Sequence, residues 1–427
     1  MTLRWRTLEW LGCGIALFLL TGALLPLLMM GGGEGLDDAA RARLRLLMLP
    51  VYLITAVLLS RHLGQLMVAV RRSLPLTLLL ALPLLSVTWS ISPSISLRRA
   101  VGLILSIALA YLLAIRFTPR QLLLLVAAVL VPCMVLSLVF AVALPGLGRM
   151  PLDAGIRGVY VHKNVLGWYA AIAVLVTGIS VLQGDPLPRR VALLPLAVSV
   201  ACLLASGSVT SLGAAVAIIV ITCFYLTLKW LQGTARSLMV LVSLQLAALL
   251  LIGLGELLVP LLEFLGRDAT LTGRVPLWQL VDEAIGRHLL LGVGYQAFWT
   301  EANPEAWHIW GVIRWGAPHS HNGYREILLN FGIVGFAAFV LMIVRALRQG
   351  AALYCAPRED GWLWLNVLVG MFLLMNLTES LFLVQNEFLF VLFSTAILMF
   401  SLRAPELRRH AASHAAGPRA MPLGAAR

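Results

Sequence analysis

Charged residues are scarce in this sequence: only 12% of its 427 residues are Asp, Glu, Lys or Arg, whereas 60% are hydrophobic. A typical soluble domain uses roughly twice that share of charged side chains to cover its surface. The composition therefore excludes a soluble globule. It predicts a polytopic membrane protein, because apolar runs of about 20 residues, the length that crosses the hydrocarbon core, recur along the chain.

Cysteine is also rare, and its spacing excludes two kinds of stabilising site. The five cysteines occur singly, and four of them lie within apolar runs. The chain has neither the paired spacing of a disulfide framework nor that of a zinc site. We therefore predict no disulfides and no metal site. The cysteines are Cys13, Cys133, Cys202, Cys223 and Cys355.

Acidic residues are outnumbered, with 19 Asp and Glu against 32 Lys and Arg, which gives a net charge of +13. In a soluble protein such an excess would suggest a nucleic-acid partner. Here most of the excess falls in short loops between apolar runs, where basic residues set the orientation of the spans. No nucleic-acid partner is expected, and both termini are predicted to lie in the cytoplasm.

The apolar runs predict an all-α polytopic fold with about twelve transmembrane helices and one large periplasmic loop between spans nine and ten. A signal peptide is the alternative for the first run, but more membrane segments follow it rather than a soluble domain. The predicted regions are spans one to nine in 1–262, the loop in 263–325, the last three spans in 326–402 and a disordered basic tail in 403–427. The spans lie near 10–30, 44–60, 74–90, 99–116, 121–144, 164–183, 190–206, 210–228, 237–262, 326–345, 361–378 and 385–402.

Several basic residues remain on the outer side, where the positive-inside rule predicts few. Arg98 and Lys163 stand near predicted helix starts, where a cation opposes the helix dipole unless an anion binds beside it. Asn164 is the predicted N-cap of that second helix. Interfacial snorkelling is the alternative for Arg98. Because exported cations from separate loops suggest an anionic ligand, we predict phosphate contacts from Arg98, Arg157, Lys163, Arg267 and Arg274.

The candidate catalytic residue lies in the stretch PHSHNGYREILLNFGIVGF, residues 318–336, where a polar loop runs into an apolar helix. If the helix begins near Asn322, its free N–H groups and positive dipole end favour a neutral His321 that accepts a proton. A loop histidine that only caps or packs is the alternative. His319 is the nearest rival for the same role. Two glycines later in the stretch predict that another helix approaches closely.

Other polar clusters are assigned structural roles or left open. The hydroxyl-rich turn at 205–214 is predicted to satisfy backbone groups, and it lacks the G-x-S-x-G pattern of a serine nucleophile. Gly292 and Gly294 lack the spacing of a dinucleotide site, and they are interpreted as a flexible segment over a site or merely a loop. The tryptophans of the large loop form an interfacial belt or stack on sugars. Glu379 and Glu387 are left unassigned.

These motifs resemble those of the bacterial O-antigen ligase and polymerase superfamily of polytopic glycosyltransferases, most closely its ligase branch. Its pattern of His-Asn, nine residues, Gly, two residues and Gly is present as His321, Asn322, Gly332 and Gly335. The large loop adds Arg-x-x-x-Leu from Arg267, followed by Thr-Gly-Arg and Trp278; WSISPSISLRRA and HKNVLG also match. Two positions depart from the pattern, since Val209 replaces a basic residue and Leu289 replaces the proline of His-Pro.

The resemblance implies transfer of O-antigen polysaccharide from undecaprenyl diphosphate to a lipid A-core acceptor at the periplasmic face of the bacterial inner membrane, among membrane lipids. His321 would be the catalytic base, with Asn322, Gly332, Gly335 and His319 in support. The transfer would be inverting and would use no cofactor or metal, because arginines rather than an acidic pair would stabilise the leaving diphosphate. The alternatives are an O-antigen or exopolysaccharide polymerase and, more remotely, a transporter, which would need charges deep within its spans.

Overall fold

The computed structural model describes residues 2–30, 43–44, 46–151, 155–246, 274–356 and 361–415. Arg267 and the end of the ninth predicted span lie outside these ranges. The helices of the first part are α1 (Thr2–Leu20), α2 (Leu25–Met30), α3 (Leu49–Leu59), α4 (Leu63–Arg72), α5 (Leu74–Leu85), α6 (Pro93–Arg116), α7 (Pro119–Ala143) and α8 (Pro145–Gly148). The others are α9 (Lys163–Gln183), α10 (Arg189–Ser206), α11 (Val209–Trp230), α12 (233–246), α13 (Arg274–Arg287), α14 (Pro304–Ile313), α15 (Gly323–Tyr354), α16 (Trp362–Met375) and α17 (Phe388–Ala415).

Apart from one isolated bridge between Arg149 and Ile156, all regular secondary structure in the described part of the chain is helical. Eight of its helical segments are long and apolar enough to cross a membrane, and two shorter apolar helices accompany them. The predicted all-α polytopic class is therefore confirmed. The count of about twelve spans stays a prediction, because the ninth span is described only as far as residue 246.

The first two predicted spans differ from the observed helices. The span at 10–30 is wrong as a single helix, since α1 ends at Leu20 and Gly22, with a φ of 62°, lies in the turn that separates α1 from α2. The second span is longer than predicted, because α3 continues through one 3₁₀ turn into α4. Nε2 of His62 in that turn lies 3.1 Å from Oε1 of the buried Glu9. This pairing lets a polar residue remain within the bundle, so the helical segment continues past residue 60.

The helices α16 and α17 form the packed centre of the bundle. In the apolar window of α17, 83% of the residues are buried, against 28% for α10 and α11. Lipid is as apolar as the side chains, so close packing rather than removal from water holds such a centre together. The rings of Phe372 and Phe393 lie 4.6 Å apart, and Phe382 packs on both. The outer loop between α16 and α17 therefore rests on a tightly packed base.

Helix α15 is broken at Gly332, where φ is 58° and ψ is −159°. The backbone of the large loop lies in the break: the N–H of Ile333 donates to the carbonyl of Leu289 at 2.8 Å, and the N–H of Val293 donates to that of Leu329 at 2.8 Å. The expectation that another helix approaches is thus wrong at Gly332, where a loop backbone approaches instead, and the atoms nearest to a Cβ at Gly335 would belong to Phe331 of the same helix. A loop approaches Gly332 because only a non-helical segment offers free peptide groups to an interrupted helix.

The break lies near the His321 end of α15. The remaining residues 333–354 are helical and span roughly 33 Å, enough to cross the hydrocarbon core without the first part. A transporter site would instead place the break at the middle of the span. The position of Gly332 therefore associates the interruption with the loop that contains residues 289–293.

Candidate active site

The candidate active site is built on the turn that precedes α15. The helix begins at Gly323, as predicted, because the side chain of Asn322 accepts hydrogen bonds from the N–H groups of Tyr324 and Arg325 at 3.1 and 3.0 Å. His321 therefore stands directly before a helix N-terminus. Its φ of 52° lies in the left-handed region that residues other than glycine seldom adopt. Such strain persists only where the surroundings hold it, and it clusters at functional sites.

Buried contacts hold the residue before His321. The N–H of Ser320 donates to Glu326 Oε1 at 2.6 Å, and its carbonyl accepts from the indole N–H of Trp278 at 2.9 Å. The indole N–H of Trp299 donates to the same Glu326 oxygen at 2.8 Å. A carboxylate in the first turn of a helix is also favoured by the dipole. Glu326 therefore joins α15 to the large loop directly behind the turn that carries His321.

The residues after His321 are held by the loop between α16 and α17. The N–H of Asn322 donates to Ser380 Oγ at 2.9 Å, and the N–H of Gly323 donates to the carbonyls of Asn376 and Glu379, each at 2.8 Å. A Cβ at Gly323 would collide with the Asn376 side chain, so glycine is required for this approach. The strained turn is thus fixed from both sides, as a preorganised site needs.

The His321 ring lies among three other functional groups. Its Nδ1 is 3.9 Å from Glu379 Oε2, and the other oxygen of that carboxylate lies 3.5 Å from Arg274 Nη2. The Trp315 ring, 38% exposed, has its centroid 5.8 Å from the imidazole and can stack on a sugar there. The structure thus brings together two predicted site residues, His321 and Arg274, and adds Glu379, which the sequence left unassigned.

His319 lies against His321, but its Nδ1 already accepts a hydrogen bond. The ring centroids are 4.2 Å apart, and Nδ1 of His319 accepts a hydrogen bond from the backbone N–H of His321 at 3.2 Å. Removal of the ring from water, and then electrostatic repulsion from the neighbouring His321 and Arg274, lower the pKa of His319 to about 3. A neutral ring that accepts at Nδ1 carries its proton on Nε2. His319 therefore supports the turn and has no lone pair left for a base.

The segment 288–296 connects this site to the loop that carries Arg98. Gly292 and Gly294 have positive φ angles of 65° and 96°, and they let the segment lie against α15. Ser96 Oγ donates to the carbonyl of Tyr295 at 2.8 Å, and Arg99 donates to that of Gln296 at 2.8 Å. The segment is thus held by α15 on one side and by α6 on the other, and it is not a free loop over the site. Arg98 stays exposed in the first turns of α6.

Lys163 and Arg157 lie in a second outer loop. Lys163 is the first residue of α9, as predicted, but the N-cap is His162, whose Nδ1 accepts from the N–H of Asn164 at 3.1 Å. The prediction that Asn164 caps the helix is therefore wrong, since the histidine two residues earlier fills that position. Arg157 is buried, its Nε donates to the carbonyl of Leu147 at 2.8 Å, and burial lowers its pKa.

The serine-rich turn next to this loop has the predicted structural role. Ser206 Oγ donates to the carbonyl of Leu203 at 2.7 Å and accepts from the N–H of Ser208 at 3.3 Å. Hydroxyls that satisfy backbone groups in this way allow a tight turn between apolar helices. The N–H of Ile156 donates a hydrogen bond to the carbonyl of Ala205 at 3.1 Å. The loop before α9 and the serine-rich turn therefore pack on each other.

One protein family and one known protein are each similar to part of this chain. The O-antigen ligase family matches residues 194–340, which include Arg274, His319 and His321. The exopolysaccharide production protein ExoQ of Rhizobium meliloti (strain 1021) is 30% identical over 272 residues. That match covers 61% of this chain and 61% of the relative's own length. Lys163 and Glu379 lie outside the family match, so their roles are judged from the structure.

Proposed function

Because the chain is similar to the O-antigen ligase family, we propose that it is a ligase that transfers O-antigen polysaccharide from undecaprenyl diphosphate to a lipid A-core acceptor. The observation that carries the proposal is the placement of His321 on a strained, firmly held turn at the end of a membrane-spanning helix, with Arg274 paired to the carboxylate beside it. A base and a cation at this position suit two substrates that both remain anchored in the lipid. The site faces the periplasm of the inner membrane.

In the proposed reaction a hydroxyl oxygen of the acceptor sugar attacks the anomeric carbon of the donor sugar. The new carbon–oxygen bond forms while the bond from that carbon to the diphosphate oxygen breaks, and the diphosphate leaves with the electron pair. Nε2 of His321 takes the hydroxyl proton, because a sugar hydroxyl is a poor nucleophile until a base removes its proton. A single displacement of this kind inverts the anomeric configuration.

The leaving diphosphate accumulates negative charge as the bond breaks. Arg274, held near His321 by Glu379, is the cation best placed among the described residues to stabilise that charge. A planar guanidinium suits this role because it can donate two parallel hydrogen bonds to one phosphate. Arg98, Lys163 and Arg267 complete the proposed set of phosphate ligands, whereas Arg157, which is buried and bonded to the carbonyl of Leu147, is not retained in it. The proposed reaction needs neither a metal nor a cofactor.

A polysaccharide polymerase is the second candidate function. The similarity to ExoQ, an exopolysaccharide production protein, favours it. A polymerase would use the same base and the same leaving group, but its acceptor would be a second lipid-linked glycan instead of lipid A-core. The two functions therefore differ in the acceptor, not in the chemistry at His321.

A deletion strain distinguishes the two functions. For a ligase, we expect lipid A-core without attached polymer, together with lipid-linked polymer of normal length, in gels of the lipopolysaccharide and extracts of the lipid fraction. The wild-type gene should restore the polymer on the core, His308→Ala should do so equally because His308 is exposed on α14, and His321→Ala should not. Cores that carry single repeat units, or loss of an exopolysaccharide with intact lipopolysaccharide, would indicate the polymerase.

A further inference from the structure

Glu379 lies between the two groups that the proposed reaction uses. Its side chain is only 5% exposed, and its two oxygens face different partners, His321 Nδ1 at 3.9 Å and Arg274 Nη2 at 3.5 Å. A buried carboxylate is costly unless charged or hydrogen-bonding groups surround it. Glu379 is thus held at this position by the candidate base on one side and a candidate phosphate ligand on the other.

The environment of His321 Nδ1 also indicates Glu379 as its partner. Nδ1 of His321 is shielded from water and has no hydrogen-bond partner within the part of the chain that the structure describes. Buried ring nitrogens normally have one. A distance of 3.9 Å exceeds a hydrogen bond, but catalytic hydrogen bonds in an empty site are often long and shorten when the substrate binds. The carboxylate of Glu379 is the acidic group that lies within 4 Å of Nδ1 among the described residues.

The neighbouring groups cannot take this role without losing contacts that they already make. Glu326 Oε1 accepts from the N–H of Ser320 and from Trp299, and His319 Nδ1 accepts from the N–H of His321. The main chain of Glu379, by contrast, is tied to the turn itself, because its carbonyl accepts from the N–H of Gly323 at 2.8 Å. The carboxylate and the imidazole are therefore fixed relative to each other.

We propose that Glu379 is the positioning residue of His321, an inference that rests on the proposed function. Its carboxylate accepts the Nδ1 proton, which leaves the proton-accepting lone pair on Nε2 and turns that nitrogen toward the acceptor hydroxyl. When Nε2 takes the proton, the ring becomes an imidazolium, and the negative charge of Glu379 stabilises it. A carboxylate orients the histidine base in the same way in hydrolases that have a histidine–carboxylate pair.

A simpler role for Glu379 would be that of a counter-ion that holds Arg274. The two roles predict different kinetics. Loss of a counter-ion changes how Arg274 meets the donor and therefore changes the donor KM. Loss of the group that orients the base lowers kcat and leaves donor binding intact, and this loss depends on the presence of His321.

The test measures kcat and donor KM of purified variants with lipid-linked glycan and lipid A-core. Glu379→Gln should lower kcat by about 10- to 10²-fold at an unchanged donor KM, because its amide can present an N–H to Nδ1 and favour the wrong tautomer. Glu379→Asp should recover part of the rate. Arg274→Gln should lower kcat as well, but it should also raise the donor KM, because Arg274 contacts the donor itself. Glu283→Gln removes an exposed acid of α13 and serves as the matched control.

The double variant His321→Ala/Glu379→Gln decides whether Glu379 acts through the base. We expect it to be no more than about threefold slower than His321→Ala alone, which is non-additive behaviour typical of coupled residues. A full additional loss in the double variant, or a Glu379→Gln rate equal to that of the wild type, would overturn the inference. The proposed function would fail differently, through absence of transfer by the wild type or unchanged transfer by His321→Ala.

Discussion

Replacement of His321 by alanine should lower kcat for glycan transfer by about 10²- to 10⁴-fold, the usual contribution of a general base. The acceptor hydroxyl would have to attack with its proton still in place. Donor binding should persist, because Arg274 and the other cations remain. Initial rates with saturating donor and acceptor measure the first effect, and the donor KM or direct binding of the lipid-linked glycan measures the second.

Two other histidines serve as controls for this variant. His319→Ala should lose much less activity, since the Nδ1 of His319 only accepts a hydrogen bond from the His321 backbone and supports the turn. His308→Ala should behave like the wild type, because this residue is exposed on α14. If His321→Ala transfers glycan at the wild-type rate, or if His319→Ala is the slower variant, the assignment of the base is wrong.

Gly332→Ala should destabilise the protein by about 2 to 6 kcal/mol, from the forbidden backbone conformation and the steric overlap together. The φ and ψ angles of Gly332 are open almost only to glycine, and a Cβ there would collide with the carbonyl groups of Leu289 and Leu290. Segment 288–296 should then leave the break in α15. Thermal unfolding in detergent and proteolysis of the large loop measure the effect.

Gly213→Ala is the matched control for this change. Gly213 also lies in a membrane-spanning helix, but a Cβ there would meet no atom within 4 Å. We expect its melting temperature to equal or slightly exceed that of the wild type, because alanine favours a helix over glycine. Equal melting temperatures for Gly332→Ala and Gly213→Ala would contradict the structural role of the break.

The sequence predicted the parts of this structure that depend on local patterns. Apolar runs predicted most of the helices in the described ranges, and the helix start near Asn322, on which the role of His321 depends, is observed at Gly323. The break at Gly332 was not predicted, because it occurs within a continuous apolar run and depends on a loop that lies some forty residues earlier in the chain. Local periodicity contains no information about such a distant partner.

The candidate site was predicted only in part for the same reason. His321 stands out through its neighbours in sequence, whereas Glu379 resembles any other acid at the end of a span until the fold brings it to 3.9 Å from the ring. A signal was present, since an acid on the outer side, among many exported arginines, needs a partner. Arg157 shows the opposite case: its charge was visible in the sequence, but its complete burial was not.

The anomeric configuration of the product tests the central claim most directly. Purified wild-type protein would be given lipid-linked glycan of known configuration and lipid A-core, and NMR would define the new linkage. A single attack by a hydroxyl that His321 deprotonates predicts inversion. Retention would require a second displacement, such as one through a covalent glycosyl-enzyme intermediate, and would contradict the account.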